Sequence, residues 1–163
     1  MEKQKIKRNI LSNKNIEKIL SLGRWDSRGS SLNYFFDDYI DDILIGLSRK
    51  SLLKEYISEK IDKVFEEIEN EQKDNLFRAI YLKDPKITGF PGIYWSSRED
   101  TRPYVEHPEG FLEVLVSTPY KEPLVDWEGT IIARMDYLFG DNEKEFRLKS
   151  DLSKLDVNII SVR

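Results

Sequence analysis

Four aspartates fall within six positions of the stretch NYFFDDYIDDILIGL, residues 33–47, and no lysine or arginine lies among them. Short carboxylate side chains held close to a backbone can pair with a basic protein surface, stand in for phosphate groups or ligate a metal ion. This concentration of negative charge is therefore the first candidate for chemistry in the sequence.

Helical spacing separates the acidic residues of this stretch from the apolar ones. At about 100° per residue, the four aspartates cover about 140° of a helix surface, and Phe36, Ile40 and Leu47 fall on the other side. Tyr39 lies at the border of the acidic side. The pattern predicts an amphipathic helix with an acidic face. The candidate partner-binding residues are Asp37, Asp38, Tyr39, Asp41 and Asp42.

Two other interpretations of the acidic face are open. It could be the solvated face of a core helix, but like charges at i,i+4, such as Asp37 and Asp41, weaken a helix, and most solvated faces mix both signs. It could also bind a metal ion, which would need further ligands from elsewhere in the chain. A basic partner accounts best for aspartates edged by tyrosine, and we expect no metal site.

The stretch YWSSREDTRPYVEH, residues 94–107, is a second candidate. We expect a loop between strands, and Trp, Tyr and Arg are frequent hot spots of protein interfaces. The alternative is a solvated hairpin in which the two arginines pair with Glu99, Asp100 or Glu106. The candidate residues of this second contact loop are Trp95, Arg98, Asp100, Arg102 and Tyr104.

Catalytic equipment is sparse in this sequence. His107 is the single histidine and there is no cysteine, which excludes thiolate nucleophiles and makes a closed zinc site improbable. The sequence has no Gly-rich phosphate loop, no nucleophile elbow and no EF-hand loop. We expect a protein that is not an enzyme, needs no cofactor and carries His107 on its surface. The alternative is a small enzyme or ligand-binding domain that uses the 94–107 loop.

The periodicity of apolar residues changes near residue 85. Before it, helical spacing predicts a short first helix that ends at Gly23 and is outlined by Ile10, Leu11, Ile16, Ile19 and Leu20. It also predicts a second helix that is capped by Ser51 and buries Leu53, Ile57, Ile61, Val64 and Ile68. The segment DNLFRAIYL either continues helically or starts a strand, and we favour the helix. After residue 85, short runs rich in β-branched and aromatic residues predict strands in ITGFPGIYW, GFLEVLVST, GTIIARMDYLF, EFRLK and VNIISV, with DWEG as a turn.

Helices followed by strands predict an α+β fold. We expect a single domain over residues 1–163, in which N-terminal helices (about 8–84) pack on a C-terminal antiparallel sheet of four or five strands (about 85–163).

Charge is distributed unevenly along the chain. Residues 1–30 carry eight basic and three acidic residues, a net of +5. Residues 31–72 carry five and eleven, a net of −6, and residues 73–163 carry thirteen and sixteen, a net of −3, which together give −4. An acidic middle repels nucleic acid and attracts basic proteins.

The basic N-terminus lacks the apolar core of a secretory signal, and no apolar run approaches the length of a membrane span. We expect a cytoplasmic protein that binds neither nucleic acid nor membrane, with its oligomeric state left open.

With its aspartates and tyrosine on one helix and its acidic character, the chain resembles the immunity proteins of bacterial toxin–immunity pairs, including those of contact-dependent growth inhibition. The resemblance rests on the five residues of the acidic stretch and on overall character. It implies a non-enzymatic protein that binds a toxin, here expected to be a nuclease domain, and presents carboxylates to its basic nucleic-acid cleft.

Overall fold

The computed structural model describes residues 2–12, 14, 49–87, 91–103, 105–136, 143–150 and 155–163. Within these ranges the elements are three α-helices and five strands. The helices are α1 (Lys3–Ile10), α2 (Arg49–Asn70) and α3 (Trp127–Asp136). The strands are β1 (Asn75–Leu82), β2 (Tyr94–Ser96), β3 (Leu112–Pro119), β4 (Glu145–Arg147) and β5 (Asn158–Val162), and a 3-10 turn spans Glu122–Leu124. The predicted α+β class is confirmed.

Two compact units divide the chain. The first comprises Met1–Asn70 and Trp127–Asn142, and the second comprises Glu71–Asp126 and Glu143–Arg163. The described α-helices belong to the first unit, and the sheet belongs to the second. None of the helices in the described ranges combines the length and the apolar character needed to cross a bilayer.

Helix α2 confirms the predicted amphipathic pattern. Ile57, Ile61, Val64 and Ile68 are at most 1% exposed, and complete burial of such a side chain stabilises a fold by about 1.5–3 kcal/mol. The three helices contact one another within the first unit. Ser51 is the third residue of α2 rather than its cap.

The first described helix, α1, spans Lys3–Ile10 and buries Ile10 completely. Ile10 is the first apolar residue of the helix that the sequence pattern predicts before Gly23. Ile16, Ile19, Leu20 and the expected stop at Gly23 lie outside the described residues.

The sheet is antiparallel, and its strand order is β4-β2-β1-β3-β5. The helical prediction for DNLFRAIYL is wrong, because residues 75–82 form the central strand β1. This strand pairs with β3 along its whole length, from Asn75 opposite Pro119 to Leu82 opposite Leu112. Pairing with a strand distant in sequence therefore overrides the local pattern, and the strand-rich part begins at residue 75.

The strand predicted in GTIIARMDYLF is also wrong. Residues 127–136 form α3, and DWEG supplies its first turn. Its buried residues recur at the spacing of one helix face, and they are Thr130, Ile131, Arg134 and Met135. The β-branched residues 130–132 favoured a strand in the sequence, but the buried positions of the segment follow the helical period.

The other predicted strands are confirmed in position. EFRLK contains β4 and VNIISV contains β5. GFLEVLVST covers β3 except for its last residue, Pro119, and ITGFPGIYW contributes its last two residues to β2. Five consecutive residues of β3, Val114–Thr118, are buried. Side chains of a strand alternate between faces, so both faces of the sheet are covered at β3.

Candidate functional site

The acidic stretch that opened the sequence analysis lies outside the described residues. Asp37, Asp38, Tyr39, Asp41 and Asp42 are all among the residues left undescribed, so their helical acidic face stays a prediction. Tyr104 of the second candidate loop also lies outside the described residues.

A second set of carboxylates stands on α2. Its members are spaced four, three, four and three residues apart, which places them within about 80° of the helix surface, opposite the buried apolar face. All of these residues are exposed. This acidic stripe consists of Glu55, Glu59, Asp62, Glu66 and Glu69.

Lysines of α1 pair with part of the acidic stripe. Lys7 Nζ lies 2.8 Å and 2.9 Å from the two carboxylate oxygens of Asp62, and Lys3 pairs with Glu69. No cation pairs with Glu55, Glu59 or Glu66 within the described ranges. The charge of the stripe is therefore compensated at Asp62 and Glu69 and left uncompensated at Glu55, Glu59 and Glu66.

Two lysines of α2, Lys60 and Lys63, offset the negative charge of the acidic stripe only in part. Lys60 is 5% exposed, so its ammonium group is withdrawn from the surface. Lys63 is exposed. It lies four residues after Glu59 and three before Glu66, at about 40° and 60° around the helix, but it forms no ion pair with either carboxylate in the described ranges. The stripe was not predicted from the sequence, although a helical projection of residues 55–69 shows it.

Another buried cation belongs to α3. Arg134 is 2% exposed, and its Nη1 lies 3.8 Å from Glu67 Oε1 of α2. A buried cation needs a carboxylate or other acceptors nearby to offset the loss of hydration. Glu67 therefore serves packing of the helical unit, in contrast to the exposed carboxylates of the stripe.

In the second candidate region, residues 94–96 form β2 rather than a loop. Trp95 is 2% exposed, and its indole Nε1 donates to the carbonyl of Gly92 at 2.9 Å. Trp95 also lies opposite Phe146 of β4, which is buried. Its ring belongs to the interior and is withdrawn from the candidate contact surface. Tyr94, which is 46% exposed, carries the guanidinium of Arg147 over its ring at 5.7 Å.

The arginines of this region are engaged by carboxylates. Arg98 donates to both oxygens of Asp100, at 2.9 Å from Nε and 2.8 Å from Nη2, as the hairpin interpretation predicted. This hydrogen bond lowers the pKa of Asp100. Arg102 pairs with Glu113 of β3, at 3.0 Å and 3.2 Å, and not with the neighbouring acids that were expected. Glu113 also lies 3.5 Å from Arg163.

His107 is exposed and helps to fix the loop to β1. Its ring centroid lies 4.7 Å from that of Tyr81, whose hydroxyl donates to the carbonyl of Val105 at 3.3 Å. His107 Nε2 faces the carbonyl of Phe111 and therefore donates to it. These contacts give the imidazole an anchoring role. No group of three or more potential metal ligands occurs in the described part of the chain.

Arg78 joins β1 to the segment before β2. Its Nη1 donates to the carbonyl of Tyr94 at 2.5 Å, and its guanidinium packs against Gly92. Burial lowers the pKa of Arg78, while the nearby Glu145 carboxylate acts in the opposite direction. The contacts of Arg78 are those of an internal brace.

Comparisons with family models, curated proteins and solved structures found no match for this chain.

Proposed function

We propose that this protein is a non-enzymatic binder that neutralises a toxin, by covering the basic cleft of a nuclease domain with acidic helix surfaces. The observation that supports this most is the exposed stripe of α2, on which Glu55, Glu59 and Glu66 have no cationic partner among the described residues. A folded chain gains little stability from such an arrangement, since like charges three or four residues apart weaken a helix.

The acidic stripe has the properties of a rigid recognition surface. Its helix is anchored by a fully buried apolar face, and carboxylates three or four residues apart lie side by side along such a helix. A fixed row of like charges attracts a cleft of opposite charge before contact and speeds association. A nuclease cleft carries such positive charge because it binds the phosphate backbone.

The predicted acidic face of residues 37–42 belongs to the same proposal. We assign the central contact to Asp37, Asp38, Tyr39, Asp41 and Asp42, with tyrosine as the amphipathic anchor that interfaces favour. The acidic stripe of α2 then adds negative electrostatic potential around that contact. Residues 31–72 contain both sets and carry five basic and eleven acidic residues, a net of −6. The proposal places the protein in the cytoplasm, where a nuclease toxin reaches its substrate.

The alternative, a ligand or catalytic site on residues 94–107, has less support. Arg98 and Arg102 are both paired with carboxylates, and Trp95 is buried. A site for an anionic ligand would require these ion pairs to open.

Growth protection tests the proposal. The chain is expressed together with the product of the gene directly upstream, which the proposal expects to be the toxin. We expect wild type to protect, and Glu55→Lys/Glu59→Lys/Glu66→Lys to protect poorly because the stripe then repels a basic cleft.

The matched control is Asp84→Lys/Glu106→Lys/Glu109→Lys. It makes the same change in net charge at exposed positions of the other unit and should protect like wild type. Equal protection by wild type and the α2 variant, with both proteins folded, would exclude the stripe from the contact. Failure of wild type to protect would reject the proposed function.

A further inference from the structure

The edge strand β5 exposes three large aliphatic side chains. Ile159 is 41% exposed, and Ile160 and Val162 are each 46% exposed. The other large hydrophobic residues with comparable exposure in the described chain are Tyr94 and Val105, which lie elsewhere. Isolated exposed apolar residues are ordinary, but three within one short edge strand form a patch suited to a partner.

The backbone of β5 is also open for pairing. Glu113 and Arg163 exchange both of their backbone hydrogen bonds, at 3.1 Å and 2.8 Å. The next pair, Val114 and Val162, is therefore the non-hydrogen-bonded kind, so the N–H and C=O groups of Val162 point away from β3. In the described ranges no backbone group bonds to them.

The opposite edge of the sheet is covered. The N–H of Asp126 donates to the carbonyl of Arg147 at 2.8 Å, and the N–H of Lys149 donates to the carbonyl of Leu124 at 3.0 Å. Residues 124–126 thus occupy the outer side of β4. Of the two outermost strands of the described sheet, β4 is therefore covered and β5 is open to a further strand.

The side chains of β5 extend a buried row of the sheet. Val162 lies opposite Val114 and Ile159 lies opposite Val116, and both of these β3 valines are completely buried. Residues directly opposite each other in an antiparallel pair share a face. The row of apolar side chains therefore continues from β3 to β5, where it is exposed to solvent and a further strand would cover it.

We propose that β5 pairs in antiparallel fashion with β5 of a second copy of this chain. The segment DVNIISVR, residues 156–163, has an acid at its start, a base at its end and two isoleucines at its centre. Antiparallel pairing about that centre brings Asp156 of one copy beside Arg163 of the other, at both ends of the contact. A parallel arrangement would place like charges together, which is unfavourable across strands.

The bulge of β5 supports this assignment. The register with β3 shifts between Leu115 and Val116, so Ile160 has no partner on β3. Its side chain is available to a second copy. Since the contact is isologous and the β4 edge is covered, assembly closes at a dimer and does not continue as a fibre. A contact made by one short strand from each copy falls at the small end of specific interfaces, so we expect a dissociable dimer.

Sedimentation velocity of the full chain, from low micromolar to several hundred micromolar, measures the dimer. We expect wild type to shift from monomer to dimer, and Ile160→Lys to remain monomeric with unchanged thermal unfolding. Val105→Lys, at an apolar position that is 67% exposed and lies outside the strands, should dimerise like wild type. Wild type that stays monomeric throughout, or Ile160→Lys that dimerises normally, would overturn the proposal.

Charge reversal tests the antiparallel register independently. Asp156→Arg should weaken the dimer about tenfold, because two facing pairs change from attraction to repulsion. Arg163→Asp should weaken it at least as much, because it also removes the ion pair with Glu113 of the same chain. The combination Asp156→Arg/Arg163→Asp should restore it. Failure of the combination to restore dimerisation would reject this pairing, as would dimerisation that neither single reversal affects.

Discussion

Gly92 adopts a backbone conformation that side chains rarely tolerate, with φ of 110°. A Cβ atom there would lie 2.8 Å from Nη2 and 2.9 Å from Cζ of Arg78. We predict that Gly92→Ala lowers the free energy of unfolding by about 2–3 kcal/mol, since strained backbone alone costs about 1–3 kcal/mol and the guanidinium must also move.

Gly110→Ala is the control for this prediction. Gly110 has φ of 79°, but a Cβ there would meet nothing within 4 Å. It should show the loss from backbone strain without the loss from displacing Arg78. Urea unfolding of both variants compares them, and equal losses would show that the contact between Gly92 and Arg78 contributes nothing.

The pair formed by Arg98 and Asp100 predicts a specific pH dependence. The hydrogen bond from Arg98 lowers the pKa of Asp100 in the folded state. The stabilisation is therefore present above the unfolded pKa, about 3.9, and is lost as the pH falls through the lower pKa of the folded state. Arg98→Gln should raise the pKa of Asp100, as measured by NMR titration, and flatten the acid limb of the stability profile.

Arg102→Gln is the matched control, because Arg102 pairs with Glu113 instead. It should leave the pKa of Asp100 unchanged. A pKa of Asp100 that responds equally to both substitutions would mean that general positive charge, rather than the bidentate hydrogen bond, holds it low.

Among the elements, β1 holds the central position of the sheet, between β2 and β3. A fragment comprising residues 85–163 lacks this strand. We predict that the fragment gives the circular dichroism spectrum of an unfolded chain, because β3 loses the partner that it pairs with along its whole length. A fragment starting at residue 71 contains all of the described strands and should show more strand signal. Strand signal of equal strength in both fragments would contradict the central role of β1.

Sequence patterns located most elements but misassigned β1 and α3. The α2 helix was predictable because the same spacing of apolar residues repeats several times along its twenty-two residues. The segment NLFRAIYL is short and largely apolar, so the spacing of its apolar residues fits both a helix and a strand. Its pairing with β3 is what makes it a strand. In α3 the β-branched residues favoured a strand, while the burial of Ile131 and Met135 on a helix face could be known only from the fold.

The candidate site was predictable to an uneven degree for the same reason. Local features were accessible: the pair of Arg98 and Asp100 is two residues apart, and the α2 stripe follows from spacing. The pair of Arg102 and Glu113 was not accessible, because it depends on how the loop returns to β3. Burial of Trp95 likewise depends on the pairing of β2 with β4.

For the whole molecule, the distribution of charge carries the functional proposal. In α1, Lys3 and Lys7 form ion pairs with Glu69 and Asp62. Lys60 and Arg134 are buried. Other cations of the helical unit, such as Lys5, Arg8 and Lys63, stay exposed. The uncompensated negative charge is therefore local to α2, at Glu55, Glu59 and Glu66, and the functional proposal depends on this local charge and not on the net charge of −4.

The most direct measurement of the central claim is a binding titration against the product of the neighbouring gene, which the proposal expects to be the toxin, at low and at moderate salt. The Debye length falls from about 30 Å at 0.01 M salt to about 10 Å at 0.1 M, so wild type should associate more slowly as salt rises. Asp37→Lys/Asp41→Lys should lose binding at both salt concentrations and remain folded. Asp84→Lys/Glu109→Lys, with the same change in net charge, should bind like wild type. Equally tight binding by wild type and Asp37→Lys/Asp41→Lys at both salt concentrations would contradict the account.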